Sequence, residues 1–206
     1  MKLYYSPHSP FVRKVLVVAH EAGLFENIEL LANSAGPIQR DAALVAVNPL
    51  GQVPTLVLDD NTMLADSRVI CEYINSRAGA SLYPHGDTRF VALTEHAMAD
   101  GLLNAALLAR YETVARPESV KYEPWLEGQM AKMDSVIAYF EAKMPAMANR
   151  VDLASITLAC GLAYLEHRFP EYGWQAQYPA VAQWYDGFCR RSSMEATRYG
   201  IDRMQA

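Results

Sequence analysis

Three short stretches carry residues of a type and spacing that could do chemistry. The run Asn48-Pro49-Leu50-Gly51-Gln52-Val53-Pro54-Thr55 passes from a turn signal straight into Leu56-Val57-Leu58, so Pro54 stands at the mouth of a strand rather than inside one. A proline there is a candidate cis bond. A cis Val53-Pro54 peptide would turn the Val53 backbone outward, with its N–H and C=O free to pair with an extended peptide. The plainer alternative is a trans proline opening an edge strand. Upstream, Ser9-Pro10 has the pattern of an N-cap followed by a proline at the first helical position, which places a hydroxyl at a helix N-terminus. Downstream, Asp66-Ser67 marks another helix start, where either residue also serves as a plain N-cap.

These residues need elements to hold them. Lys2-Leu3-Tyr4-Tyr5 predicts a short strand stopped by Ser6-Pro7-His8. Val12, Val15, Leu16 and Ala19 fall at helical spacing after Pro10, and Gly23 supplies a stop, so a helix is expected to about Ala22. Ile28 to Leu31 predicts a second strand, and an amphipathic stretch from about Gln39 to Val47 leads into the proline loop. Thr55 to Leu58 and Thr62 to Leu64 form a hairpin across Asp59-Asp60-Asn61, and a helix from about Arg68 to Arg77 follows. The order β-α-β-α-β-β-α predicts a small mixed sheet with helices on its faces. After Gly79 the character changes. Ser81-Leu82-Tyr83-Pro84-His85-Gly86 resembles a linker, and helices are expected from Asp87 to about Ala115, from about Val120 to Met144, from the Asp152 cap through Leu165, and over Pro179 to Arg190. The expected domains are 1–79 and 87–206.

Composition narrows the function classes. With 206 residues, about half of them hydrophobic, the chain can bury a real core in one large domain or two small ones. A net charge of -5 offers no basic stripe to a phosphate backbone, which argues against a nucleic-acid partner. No apolar run is long enough to cross a bilayer. The first apolar cluster, Val15 to Ala19, is hemmed in by Arg13, Lys14, His20 and Glu21, unlike a secretory segment, so a cytoplasmic location without a membrane partner is expected. The three cysteines, Cys71, Cys160 and Cys189, are odd in number and far apart, which suits neither a disulfide framework nor a zinc site. They are expected as buried free thiols, with no metal.

In order and spacing, Ser9-Pro10-Phe11-Val12-Arg13-Lys14, the Asn48 to Thr55 stretch, Leu64-Ala65-Asp66-Ser67-Arg68-Val69-Ile70, Leu158-Ala159-Cys160 and Tyr164-Leu165-Glu166-His167-Arg168 resemble the soluble glutathione S-transferases. The resemblance covers nearly the whole chain and is strongest to bacterial members whose first helix opens with a serine. It implies an α/β plus all-α fold: a thioredoxin-like N-terminal domain with a mixed four-stranded sheet, then an all-helical domain. It also implies glutathione as co-substrate, a hydrophobic electrophile and a homodimer, with Asp100 or Glu95 near the partner's site.

Under that resemblance Ser9 is the catalytic candidate. Ser9 and Val12 stand where a thioredoxin-like protein would carry the cysteines of Cys-Pro-x-Cys, which removes disulfide exchange at this position. What remains is a hydroxyl at a helix N-terminus, suited to a thiolate or serving only as an N-cap. Tyr5 and Ser6 compete, Tyr5 because other branches of the family use a tyrosine at the end of the first strand. Val53, with Pro54, is expected to pair with the cysteinyl part of glutathione, and Gln52 with its γ-glutamyl or glycyl end. Ser67 and nearby N–H groups suit the γ-glutamyl carboxylate, and Asp66 its ammonium. His8 is a loop residue. Arg13 and Arg68 are counter-charge candidates or members of a solvated helix face. Asn104 and Tyr111, with Leu107 and Leu108, are candidates for the electrophile site. Asp152 and Ser155 form a capping box in the order opposite to the family's usual one and are expected to be structural. The same residues would also serve a glutathione-dependent isomerase or dehalogenase, or a non-catalytic glutathione-binding scaffold.

Overall fold

One of the two inner strands of the first unit is β1 (Lys2–Tyr5) in the computed structural model, which describes residues 1–34 and 36–200. Leu3 and Tyr5 alternate into the core while Lys2 is exposed, the period of a half-buried strand. β2 (Glu29–Ala32) lies parallel to it, Lys2 opposite Glu29. β3 (Thr55–Val57) runs antiparallel on the other side, Leu3 opposite Leu56, and β4 (Met63–Leu64) pairs antiparallel with β3, giving the order β2-β1-β3-β4. A parallel pair needs a crossover, and α1 (Pro10–Glu21) supplies it. α1 buries Val12 and Val15 to Ala19, α2 (Ala42–Val47) buries Leu44, and α3 (Ser67–Ala78) buries Ile70, Cys71 and Ile74 and packs against α1 and β3. α2 begins later than expected because Asp41 caps it, accepting the Leu44 N–H at 2.8 Å.

The second unit, Pro84–Arg191, is helical. It contains α4 (Thr88–Val114), α5 (Glu123–Met147), α6 (Leu153–Arg168), α7 (Trp174–Gln177) and α8 (Pro179–Phe188). α6 is buried at every position from Leu153 to Leu165 and packs against α4, as a helix that is apolar all round must. Gly161 lies where α4 approaches: a Cβ there would stand 2.9 Å from Leu102 Cδ2. The start of α6 is closed reciprocally. Ser155 N–H donates to Asp152 Oδ1 at 3.0 Å, Asp152 N–H donates to Ser155 Oγ at 2.9 Å, and that hydroxyl donates to Asp152 O at 2.9 Å. Arg150 Nη2 holds Asp152 Oδ2 at 2.6 Å and Glu95 Oε2 at 2.8 Å.

Two expectations are corrected here. Residues 192–200 belong with the first unit, Met1–Tyr83, and not with the helical one. There α9 (Ser192–Ala196) packs on α1, because Glu21 and Arg13 of α1 find their hydrogen-bonding partners in that segment. Glu95 and Asp100 were expected near a partner's site. Both are buried and paired within the helical unit, Glu95 with Lys143 at 3.2 Å and with Arg150, and Asp100 with His96 at 3.3 Å.

Candidate functional site

Strand register gathers the candidate residues at one end of the sheet. Tyr4 lies opposite Thr55 and Leu56 opposite Leu64. The loop after β1, which carries Ser6 and Ser9, the loop before β3, which carries Gln52, Val53 and Pro54, and the loop after β4, which carries Asp66 and Ser67, therefore leave the sheet at the same end.

Ser9 is the N-cap of α1, with extended backbone at φ -80 and ψ 122. Its Oγ accepts the Val12 N–H at 3.3 Å, and its carbonyl accepts the Arg13 N–H at 3.0 Å. Pro10, at the first helical position, has no N–H to satisfy. The Ser9 hydroxyl proton has no acceptor among the described residues, so the oxygen is half used. Of the two rivals, Tyr5 is buried in the core, 3 % exposed, and Ser6 Oγ accepts the His8 N–H at 3.4 Å.

The loop before β3 is fixed from beneath by residues whose structural part the sequence reading missed. Asn48 is buried. Its Nδ2 donates to Thr55 Oγ1 at 2.8 Å and to Gln52 O at 3.4 Å, while its Oδ1 accepts the Leu50 N–H at 3.0 Å. Thr55 Oγ1 in turn donates to Gln52 O at 2.7 Å. Gly51 has φ 60, and a Cβ there would stand 2.9 Å from Val45 Cγ2; Arg40 Nη2 holds the neighbouring Pro49 O at 2.6 Å. The polar residues bracketing the Pro-x-Gly turn were the available signal, since such side chains bond turn backbones. The Val53-Pro54 peptide is cis, as is Ala65-Asp66. Gln52 is exposed, and the Val53 N–H and C=O make no hydrogen bond among the described residues.

Asp66 is the N-cap of α3. Its Oδ1 accepts the Arg68 N–H at 2.9 Å, and its Oδ2 pairs with Arg68 Nη2 at 2.9 Å. Burial pushes the carboxyl up, but the hydrogen bonds and charge of Arg68, with the charge of the fully buried Lys14, outweigh it and hold the group below its ordinary value. Ser67, the first residue of the helix, is 3 % exposed. Arg68 is thus occupied with Asp66, and Arg13 is not a solvated residue: it is 5 % exposed and bonded to Met194 and Thr197.

The electrophile candidates lie in the helical unit. Asn104 is exposed on α4, its Nδ2 donating to Asp100 O at 2.9 Å, and Tyr111 is half-buried, its phenol pushed up by desolvation. Cys71 and Cys160 are buried thiols and Cys189 is half-buried. Among the described residues no group of three or more His, Cys, Asp or Glu side chains could hold a metal, and no helix is long and apolar enough to cross a membrane.

The family model for the glutathione S-transferase N-terminal domain matches residues 8–77, and that for the C-terminal domain matches residues 123–187. The chain belongs to the glutathione S-transferase family. Among solved structures it is similar to a glutathione transferase family member from Pseudomonas fluorescens Pf-5 with bound glutathione, 40% identical, with a TM-score of 0.94 over 97% of this chain and 99% of that one. A second structure of a glutathione transferase family member from Pseudomonas fluorescens Pf-5, with bound S-(propanoic acid)-glutathione, is 39% identical, with a TM-score of 0.89 over 98% of this chain and 100% of that one. The Escherichia coli K12 protein named Uncharacterized GST-like protein YibF is 31% identical over 96% of this chain and 98% of its own length. The mixed sheet and helical unit are those of the family.

Proposed function

We propose that this chain is a glutathione transferase that binds glutathione in its first unit, holds the thiolate with Ser9 and presents it to a hydrophobic electrophile. The observation that carries this reading is the half-used cap: Ser9 Oγ accepts the Val12 N–H, and the proton on the same oxygen is left to donate. A sulfur anion at the start of this 12-residue helix gains a hydrogen bond worth about 1.5 to 3 kcal/mol and about 0.3 to 1 kcal/mol from the helix terminus. One pKa unit is about 1.4 kcal/mol, so a thiol near 8.5 falls by roughly one to three units, enough to populate thiolate at neutral pH. Tyr5, in the core, and Ser6, facing the His8 amide, fit the role less well.

The other contacts follow from the same end of the sheet. The Val53 N–H and C=O take the cysteinyl backbone as a short added strand, Gln52 takes a terminal group through its amide, and the start of α3 takes the γ-glutamyl end. There Asp66 offers its carboxylate to the ammonium while still capping the helix, and Ser67 the first amide to the carboxylate. Glutathione in the Pseudomonas relative supports the ligand, and S-(propanoic acid)-glutathione in the second supports a sulfur that takes carbon substituents. In the reaction the thiol proton passes to water, the sulfur forms a C–S bond to the electrophilic carbon, and the leaving group departs with the electron pair of the bond it loses. The protein contributes proximity and a lowered thiol pKa.

Asn104 and Tyr111 are proposed for the electrophile. A homodimer is proposed through α4, which exposes Phe90, Val91 and Met98. The proposed setting is the cytoplasm, where Cys71, Cys160 and Cys189 remain thiols. The deciding experiment is to titrate the thiol of bound glutathione in the wild type and in Ser9→Ala, Ser6→Ala and Tyr5→Phe. The expected result is a raised pKa in Ser9→Ala alone; an unchanged pKa in Ser9→Ala with glutathione still bound would overturn the assignment.

A further inference from the structure

The Ser9 hydroxyl is only as well placed as the turn of α1 that carries it. Arg13 closes that turn, its N–H donating to Ser9 O at 3.0 Å. Its side chain is 5 % exposed and joins the C-terminal segment of the same unit. There Nη2 donates to Met194 O at 3.3 Å, Nε donates to Thr197 Oγ1 at 3.5 Å, and the guanidinium lies 4.8 Å from the centroid of the Tyr199 ring. These partners are 181 and 184 residues away for the two hydrogen bonds. Thr197 is itself buried and donates to Ser193 O at 2.8 Å, and the Ser193 hydroxyl donates to Glu21, the last residue of α1. The segment is therefore fastened to α1 at its first turn and at its last.

A buried guanidinium is retained at a cost unless its donors are satisfied, and its planar fork fixes direction in a way that an ammonium does not. We propose that Arg13 is a positioning residue for Ser9: held by Met194, Thr197 and Tyr199, it sets the orientation in which the Ser9 hydroxyl meets the glutathione sulfur, so the C-terminal segment governs thiol activation. The inference rests on the Ser9 reading above. A hydrogen bond to a charge weakens with small angular errors, so loosening this clamp is expressed in the thiol before it is expressed in binding.

The test titrates the bound glutathione thiol in the wild type, Ser9→Ala, Arg13→Met, Arg13→Lys and Thr197→Val, and measures the Kd for S-methylglutathione, which has no thiol to ionise. Arg13→Met and Thr197→Val are expected to reduce the ratio of thiolate to thiol at any fixed pH by about three- to tenfold, a pKa rise of about half a unit to one unit, with S-methylglutathione affinity kept within about twofold. Arg13→Lys restores only part of the loss. Thr197→Val removes one hydroxyl and keeps the shape, so it carries the test if Arg13→Met does not fold. An unchanged thiol pKa in the Arg13 and Thr197 variants, with Ser9→Ala raised, overturns the positioning role and leaves the Ser9 reading intact. Losses of S-methylglutathione affinity equal to the losses of thiolate also overturn it, because Arg13 then serves the fold alone. A wild-type thiol pKa in Ser9→Ala removes the Ser9 reading and this inference with it.

Discussion

Two helix starts in this molecule each carry a serine hydroxyl, Ser9 at the N-cap of α1 and Ser155 at the third helical position of α6, and leave it in opposite states. At the start of α6 every polar atom of the cap is used: Ser155 Oγ accepts one N–H and donates to a carbonyl, and the Asp152 carboxylate takes the Ser155 N–H and the Arg150 guanidinium. Ser155 is fully buried and Asp152 nearly so. At the start of α1, Ser9 is half-buried, its oxygen accepts a single N–H at 3.3 Å, and its proton has no acceptor among the described residues. A cap that spends everything on its own helix holds a fold together. A cap that keeps a donor at a helix N-terminus has something to offer an anion.

The comparison breaks most visibly if Asp152→Ala does little. Removing it deletes the cap and the Arg150 partner together, so a loss of about 2 to 4 kcal/mol is expected in urea unfolding of the helical unit, with the bound thiol pKa unchanged. A loss under about 1 kcal/mol would show that the reciprocal box is ornamental. Ser9→Ala should do the reverse. The helix terminus stays and only the hydrogen bond goes, so the bound thiol pKa should rise by about one to two units while stability falls by about 1 kcal/mol or less.

Asn48→Ala sharpens the contrast at a third place, because it removes a buried side chain that secures a binding loop without touching ligand. About 1 to 2 kcal/mol of glutathione affinity should be lost, measured calorimetrically, with the thiol pKa of the remaining complex near the wild-type value. The smallest effect belongs to Asp66, the exposed cap of α3. Its folded pKa is depressed, so the stabilisation from Arg68 is present above the ordinary value of 3.8 and is lost as pH falls through the lower folded value. Asp66→Asn should remove about 0.5 kcal/mol or less of that acid-dependent stability, seen as a smaller difference between urea midpoints at neutral pH and below about 3.8. An identical difference in wild type and variant would assign the acid dependence elsewhere.

Much of the local structure of the candidate site was legible because it is written in local chemistry. Ser9-Pro10 declares a helix start, and the Pro-x-Gly turn before Pro54 declares a loop ahead of a strand. Asp66-Ser67 declares a second helix start, and all three stand where the sequence placed them. The cysteines were legible too, except that Cys189 is only half-buried. Arg13 was not. A charged residue one turn into a helix reads as solvated, and nothing local announces that Met194, Thr197 and Tyr199 return to cover it. α9 escaped for the same reason: five residues are too few for a periodic signal. Glu95 and Asp100 looked available to another chain, yet Arg150, Lys143 and His96 occupy them.

The sequence by itself determined the element order, the caps, the proline loop and the resemblance to the family, because each of these depends on residues within a few positions of one another. Tertiary structure alone decided which groups remain free to act. Whether a hydroxyl keeps its proton for a ligand, or an arginine is spent on a distant carbonyl, depends on what the fold brings within about 3 Å of it. Ser9 and Ser155 carry the same hydroxyl at two helix starts, one at the N-cap and one at the third helical position, and their places and partners separate a candidate thiolate donor from a member of a structural capping box.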